Sequence, residues 1–164
     1  GCAIRGLHSV SMTVRDAEPT LAFMQDWMGY TVLDRSPGCV RVGVNHGGPG
    51  RQIDIVVAPD APAAVNGIGT VHHVAMAIAD GAEQVRLRDE LLASGVQVTP
   101  VMDRQYFRSI YFREPGGVLF EVATVEPGFT VDEPAEELGQ SLKLPPWEET
   151  HRAEIERGLA RLRS

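Results

Sequence analysis

Two stretches of this chain, residues 7–16 (LHSVSMTVRD) and residues 71–80 (VHHVAMAIAD), follow the same pattern. Each begins with an apolar residue and a histidine, continues with apolar residues at alternate positions and ends in aspartate. Alternation with period two predicts a half-buried β-strand, and the aspartate after it is a favourable helix N-cap. The chain is therefore predicted to contain the same strand-to-helix unit twice.

The residues after each aspartate extend the repeat. Apolar residues recur at helical spacing, as Leu21, Phe23, Met24, Trp27 and Met28 in the first copy and as Val85, Leu87, Leu91 and Leu92 in the second. Gly29 and Gly95 follow these runs and predict the two helix ends. Three strand-like runs then follow in each copy, at residues 30–33, 39–44 and 52–57, and at residues 96–98, 109–113 and 118–124. The predicted fold class is α+β, built from tandem βαβββ units that form a curved mixed sheet.

These patterns divide the chain into four segments. The first unit is predicted at residues 1–57 and the second at residues 70–126. The residues between them, 58–69 (APDAPAAVNGIG), are rich in Ala, Pro and Gly and predict a linker. Residues 127–164 predict a C-terminal loop and a helix from about residue 148 to residue 162. Three apolar residues are expected to anchor this tail to the body, namely Leu142, Leu144 and Trp147.

Composition narrows the classes of function. The net charge of −7 argues against a nucleic-acid partner. No apolar run approaches the roughly 20 residues that span a bilayer, so no membrane partner is expected. Cys2 and Cys39 lie far apart and outside any CxxC pattern, which favours free thiols and a cytoplasmic location. The first residue is not Met, and we expect the chain to begin within a longer protein.

Several strings resemble known proteins. HHVAMAIAD (72–80) and GGVLFEVAT (116–124) open and close the second unit. They resemble the vicinal oxygen chelate superfamily, which includes glyoxalases, bleomycin-resistance proteins and extradiol dioxygenases. MDRQYFRSIYFREPGGVLFE (102–121), EPGFTVDEP (126–134) and LGQSLKLPPW (138–147) resemble a narrower group, the ring-cleaving dioxygenases that open hydroquinones and related diols. Chains of that group usually have four βαβββ units, and the resemblance implies the C-terminal two, with a metal in the concavity of the sheet.

The resemblance implies that His73 and Glu121 are ligands of Fe(II) or, alternatively, Mn(II). Two imidazoles and one carboxylate hold such an ion and leave one side open for substrate. Glu121 lies between two apolar residues, where burial without a partner would be costly. The alternatives are that His73 is an ordinary strand histidine and that Glu121 pairs with Arg104 or Arg113. No cofactor besides the metal is predicted.

Three further residues are predicted to be catalytic, namely His72, Arg104 and Tyr111. His72 would point to the other side of the strand from His73, so it is expected behind the ligand or towards substrate, with the register of the two histidines open by one residue. The resemblance implies that Arg104 stabilises an anionic oxygen and that Tyr111 donates a hydrogen bond or a proton. The alternatives are an Arg–Asp surface pair and a core tyrosine.

The first unit lacks a matching site. Ser9 occupies the position of His73, and Asp54 occupies that of Glu121. Serine is a poor ligand for Fe(II), and the neighbouring His8 matches His72 in the alternation. The resemblance implies that the missing histidine comes from an N-terminal half, so the chain alone is expected to bind metal weakly.

Three functions remain open on the sequence. The first is a dioxygenase that cleaves a small aromatic diol with dioxygen. The second is a metal-free module of the bleomycin-resistance type that binds an aromatic ligand. The third is a lyase or isomerase of the glyoxalase type, which the serine at position 9 disfavours because it would need ligands from both units.

The partner is predicted to be a second copy of the chain or a missing N-terminal half. This expectation depends on apolar residues assigned to the concave face of the sheets, namely Val10, Met12, Val74 and Met76. An exposed apolar patch of several hundred Å² is usually a partner site, and identical surfaces can pair about a twofold axis.

Overall fold

Two four-stranded sheets form the frame of the computed structural model, which describes residues 3–4 and 6–160. The first sheet contains β1 (Val10–Val14), β2 (Thr31–Ser36), β3 (Cys39–Gly43) and β4 (Gln52–Val57). The second contains β5 (Val74–Ile78), β6 (Met102–Asp103), β7 (Arg108–Arg113) and β8 (Leu119–Thr124). The orders are β1-β4-β3-β2 and β5-β8-β7-β6. In each sheet the first pair is parallel and the others are antiparallel, which confirms the tandem βαβββ units.

The helices begin at the predicted aspartates. Asp16 precedes α1 (Ala17–Met28) and accepts a hydrogen bond from the backbone N–H two residues on, at 3.0 Å. Asp80 precedes α2 (Gly81–Ala93) and accepts from the N–H groups two and three residues on, at 2.8 and 2.9 Å. These bonds satisfy N–H groups that have no partner inside the helix. None of the helices in the described residues is long and apolar enough to cross a membrane.

One apolar core joins the two units. The Phe23 ring of α1 lies 5.7 Å, centroid to centroid, from the Phe112 ring of β7. Beside it, the Thr20 hydroxyl donates to the buried carboxylate of Glu114 at 2.7 Å. The absence of a side chain at Gly116 makes room for this contact, because a Cβ there would lie 2.6 Å from a side-chain atom of Thr20. Removing the Phe112 ring would cost about 3–5 kcal/mol.

Each sheet has one face in the core and one face turned away from the helices, which we call its open face. Across β5 and β8, Val74 pairs with Phe120 and Met76 pairs with Val122, and all four lie in or against the core. The alternate positions, such as Ala75 beside Glu121, therefore lie on the open face.

The predicted apolar patch on the concave face is thus wrong. Val10 and Met12 of β1 alternate with Ser11 and Thr13, and Met12 is buried in the core. Val74 and Met76 of β5 likewise pack against the core rather than on the open face. The open faces carry mainly small and polar side chains, so they give no apolar reason for a dimer.

The predicted strand at residues 96–98 does not form. Only Val98 pairs, in an isolated bridge with Phe112, and the edge strand is β6. Pro100 follows two residues later and has no N–H to donate to a ladder. Pairing therefore resumes only at Met102, opposite Ser109.

The tail departs from the prediction as well. Its helical segment begins with a 3-10 turn at Glu149–His151 and continues as α3 (Arg152–Gly158), while residues 161–164 lie outside the described part of the chain. Leu142 and Trp147 are 37% and 52% exposed, so they do not anchor the tail as expected, whereas Leu144 is half-buried. Phe129 contacts the body through its ring, 4.9 Å from that of Tyr106, although it is itself 61% exposed.

Candidate active site

A buried carboxylate lies at the centre of the second sheet's open face. Glu121 on β8 is 3% exposed. Its Oε1 accepts hydrogen bonds from the Tyr111 hydroxyl at 2.7 Å and from the Ser109 hydroxyl. Its Oε2 lies 2.6 Å from Nε2 of His73. These three partners offset the cost of burying a carboxylate, and neither Arg104 nor Arg113 is among them.

The two histidines lie side by side rather than on opposite sides of a strand. His72 Nδ1 is 3.0 Å from His73 Nδ1, and the rings are perpendicular. Because β5 begins at Val74, both residues precede the strand and the alternation does not apply to them. His72 is thus placed to hold the His73 ring from the side opposite Glu121.

Arg104 lies over the Tyr111 ring, with 5.4 Å between the guanidinium carbon and the ring centroid. This is a distance for an attractive cation–π contact. A tight turn fixes its backbone, since Arg104 N–H donates to the Phe107 carbonyl at 2.9 Å and Gln105 has a positive φ of 68°. The alternative surface pair with aspartate is not among the ion pairs formed within the described residues.

The tail supports this turn. The Tyr106 hydroxyl donates to Asp132 Oδ2 at 3.1 Å, and the Gly128 N–H donates to the Tyr106 carbonyl at 2.8 Å. Loss of solvation raises the pKa of Tyr106, and the hydrogen bond with Asp132 raises it further. The segment that follows the second unit is therefore tied to the turn that carries Arg104.

At the equivalent position in the first sheet, the carboxylate is held in an ion pair. Asp54 pairs with Ser11 of β1 and Arg41 of β3, as Glu121 pairs with Ala75 and Tyr111. Arg41 donates to both carboxylate oxygens of Asp54, at 2.7 and 3.0 Å. These hydrogen bonds lower the pKa of Asp54 and raise the pKa of Arg41.

His8 and Ser9 of the first unit do not extend a ligand set. His8 Nδ1 lies 3.3 Å from the Ser9 hydroxyl and 3.3 Å from Gln52 Nε2. A ring nitrogen that contacts an amide and a hydroxyl already has hydrogen-bonding partners. In the part of the first unit that the structure describes, the carboxylate of Asp54 is held by Arg41 and is not paired with an imidazole.

The donor set in the second unit fits part of a metal site. An imidazole nitrogen and a carboxylate oxygen on one face suit Fe(II) or Mn(II). No group of three or more His, Cys, Asp or Glu side chains within the described range is arranged to hold a metal ion. His73 and Glu121 are the residues that could hold such an ion, and they would supply two of the three ligands that it needs.

The open face brings together all five site residues proposed from the sequence and adds Ser109, which the sequence analysis missed. Ser109 is fully buried on β7. Serine is too common to be noticed alone, but its place two residues before Tyr111 puts both on the same face. That spacing was the available signal.

Comparison with known proteins identifies the family. Residues 6–122 match the model of the Glyoxalase/Bleomycin resistance protein/Dioxygenase superfamily. The chain belongs to this superfamily. The match covers both units, in agreement with the paired sheet topologies.

Named relatives are similar along most of the chain. MhqA of Bacillus subtilis (strain 168), named as a ring-cleaving dioxygenase, is 40% identical over 159 residues, covering 94% of this chain and 50% of its own length. The chlorohydroquinone/hydroquinone 1,2-dioxygenase of Sphingobium indicum is 36% identical over 149 residues, covering 88% and 46%. The crystal structure of a B. subtilis protein described as a dioxygenase has a TM-score of 0.85 at 37% identity, covering 93% and 49%. The chain spans about half the length of the curated relatives it matches.

Proposed function

We propose that this chain forms part of an extradiol-type ring-cleaving dioxygenase, in which His73 and Glu121 are two ligands of a mononuclear Fe(II) or Mn(II). The proposed substrates are dioxygen and a small aromatic diol related to hydroquinone or catechol. The observation that carries the proposal is the 2.6 Å approach of His73 Nε2 to Glu121 Oε2 on an open face. The names of the relatives, which share 36–40% identity with this chain, support the reaction class.

In the proposed reaction, both atoms of dioxygen enter the organic product, and the carbon–carbon bond next to a hydroxyl-bearing ring carbon breaks. The bound ion would supply open coordination positions at which the diol and dioxygen meet. The chain supplies the surroundings. Arg104 brings a fixed positive charge to the rim of the site, where it would attract an anionic diol oxygen.

Tyr111 and His72 act on the ligands in this proposal. The Tyr111 hydroxyl donates to Glu121 Oε1, so it would reach a substrate oxygen only by giving up or sharing that bond. His72 holds the far nitrogen of the His73 ring, and partners of this kind orient ligating imidazoles.

The third ligand is proposed to come from outside the described residues, either from another part of a longer protein or from a second copy. The incomplete ligand set and the twofold length of the relatives support this. The apolar patch invoked from the sequence does not, because three of its four residues, Met12, Val74 and Met76, lie in or against the core.

The test is anaerobic titration with Mn(II), followed by oxygen-electrode assays with Fe(II) and a panel of catechols and hydroquinones. We expect weak Mn(II) binding by the chain, and diol-dependent oxygen uptake only where a second copy or a longer protein supplies the third ligand, with both removed in His73→Ala and Glu121→Gln. Asp54→Asn is the matched control and should leave both unchanged. Metal binding that persists in both ligand variants would contradict the assignment.

A metal-free binding module is the second candidate. It is favoured by the ion pair that closes the first unit and by a cleft of about 350 Å³ between the edge strands β1 and β5. Tight binding of an aromatic ligand without metal, together with no Mn(II) binding, would favour it. A glyoxalase-type reaction is disfavoured, because Asp54 is held by Arg41 and is not free to act as a ligand.

A further inference from the structure

We propose that Ser109 is a positioning residue that determines which oxygen of Glu121 is offered to the metal. This inference rests on the proposed function, because it concerns how the Glu121 ligand is held. It assigns a role to a buried serine for which packing gives no reason, since an apolar side chain of similar size would fill the same space.

The two oxygens of Glu121 have different partners. Oε1 accepts from both Ser109 and Tyr111. A carboxylate oxygen has two lone pairs, so these two donors use the capacity of Oε1. Oε2 faces only the imidazole of His73. The arrangement therefore favours ligation through Oε2 alone and disfavours a bidentate carboxylate.

Ser109 is the more permanent of the two donors. It is fully buried, and Ala123, its partner across the ladder on β8, has no side-chain acceptor. Tyr111 is half-buried, and its hydroxyl borders the open face where substrate would bind. If Tyr111 turned to a substrate oxygen, the Ser109 bond would still hold Oε1 and keep the carboxylate from rotating.

The equivalent position in the first unit lacks a hydroxyl donor to the carboxylate. Cys39 stands where Ser109 stands, two residues before the strand partner of the carboxylate. A thiol is a weak donor, and Asp54 receives the hydrogen bonds that orient it from Arg41. A strong hydroxyl donor is thus present at the carboxylate that faces an imidazole and absent at the one that faces a guanidinium.

The experiment compares the full 164-residue chain with Ser109→Ala, Ser109→Cys and the matched control Cys39→Ala. Mn(II) affinity is measured by EPR titration, and the Co(II) d–d absorption band reports the coordination geometry. Loss of an outer partner typically weakens metal binding about 10–100-fold. We expect such a loss in Ser109→Ala with a changed Co(II) band, a smaller loss in Ser109→Cys, and neither change in Cys39→Ala. Circular dichroism and thermal melts establish that each variant is folded.

The possible outcomes distinguish a failure of this inference from a failure of the proposed function on which it rests. If the wild-type chain binds Mn(II) and Glu121→Gln does not, the metal site stands. Ser109→Ala with wild-type affinity and an unchanged Co(II) band would then overturn the role of Ser109 alone. If the wild-type chain binds neither Mn(II) nor Co(II), the metal site and the Ser109 inference fall together.

Discussion

Asp54 and Glu121 occupy equivalent places on the central strands of two sheets with the same topology, and their surroundings differ in kind. Both oxygens of Asp54 are bound by one guanidinium. Glu121 has one oxygen held by two hydroxyl groups and the other beside an imidazole. The same sheet topology thus carries a carboxylate with both oxygens bound by a guanidinium in the first unit. In the second unit it carries a carboxylate with one oxygen beside an imidazole.

The difference comes from the residue opposite the carboxylate on the neighbouring strand. Arg41 brings a permanent charge and a planar pair of donors that match a carboxylate. Tyr111 brings one neutral donor and leaves the second oxygen to the imidazole of His73. A repeated carboxylate is therefore not enough to predict a repeated metal site, because the cross-strand neighbour decides whether the carboxylate is available.

The largest expected effect is on Mn(II) affinity when each carboxylate is neutralised in turn. Glu121→Gln removes a proposed ligand, and we expect a loss greater than the roughly 10–100-fold that removal of an outer partner causes. Asp54→Asn should change the Mn(II) affinity less than twofold. It removes only an ion pair in the other sheet, and partly exposed pairs of this kind contribute little free energy. Isothermal titration calorimetry measures both, and equal losses in the two variants would break the comparison.

A smaller effect is expected when the second unit is made to resemble the first. Tyr111→Arg would place a guanidinium opposite Glu121, as Arg41 stands opposite Asp54. The new ion pair should compete with the metal and weaken Mn(II) binding by about 10-fold or more relative to Tyr111→Phe. If the arginine and phenylalanine variants bind Mn(II) equally well, the cross-strand neighbour does not control the carboxylate.

The reverse change should produce a weak gain. In the double variant Ser9→His/Arg41→Tyr, the first unit would have an imidazole beside Asp54 and no guanidinium on it. We expect a second, weaker Mn(II) equivalent, because Cys39 would still stand where Ser109 supports Glu121. Mn(II) EPR gives the stoichiometry, with Ser9→His alone as the control. One equivalent in both would show that further features of the second unit are needed.

The smallest expected effect is on the pH dependence of the free energy of unfolding. Arg41 lowers the pKa of Asp54 below that of the unfolded chain, so the pair stabilises the fold fully above about pH 4 and loses this contribution as the pH falls through the lowered pKa. Solvent screens the pair, since the Arg41 side chain is 43% exposed. Urea unfolding should show a small excess of wild-type stability over Asp54→Asn at pH 7 that shrinks near pH 3. An excess that grows on acidification would contradict the sign.

Part of this contrast could be predicted from the sequence. The repeated strand-to-helix pattern gave both N-caps and the equivalence of Asp54 with Glu121. The residue opposite Asp54 could not be predicted, because the pairing register between neighbouring strands depends on hairpin geometry, and Arg41 was missed for this reason. Ser109 pairs with Ala123 rather than with a carboxylate, and only its spacing from Tyr111 marks it.

Local patterns also failed where a strand or a packed segment was assumed. Alternation was extended to His72, although β5 starts only at Val74, and the two histidines therefore meet. Trp147 is predicted to anchor the tail, but it is 52% exposed, and the ring that contacts Tyr106 is that of Phe129. The burial of a tail residue depends on the path of the tail across the body of the protein. The periodicity of the local sequence does not specify that path.

Anomalous X-ray diffraction from crystals of the chain grown with Mn(II) tests the central claim most directly. We expect one strong manganese peak on the open face of the second sheet, within bonding distance of both His73 Nε2 and Glu121 Oε2. No comparable peak is expected beside Asp54. A peak on Asp54, or strong manganese sites elsewhere with none between His73 and Glu121, would contradict the account.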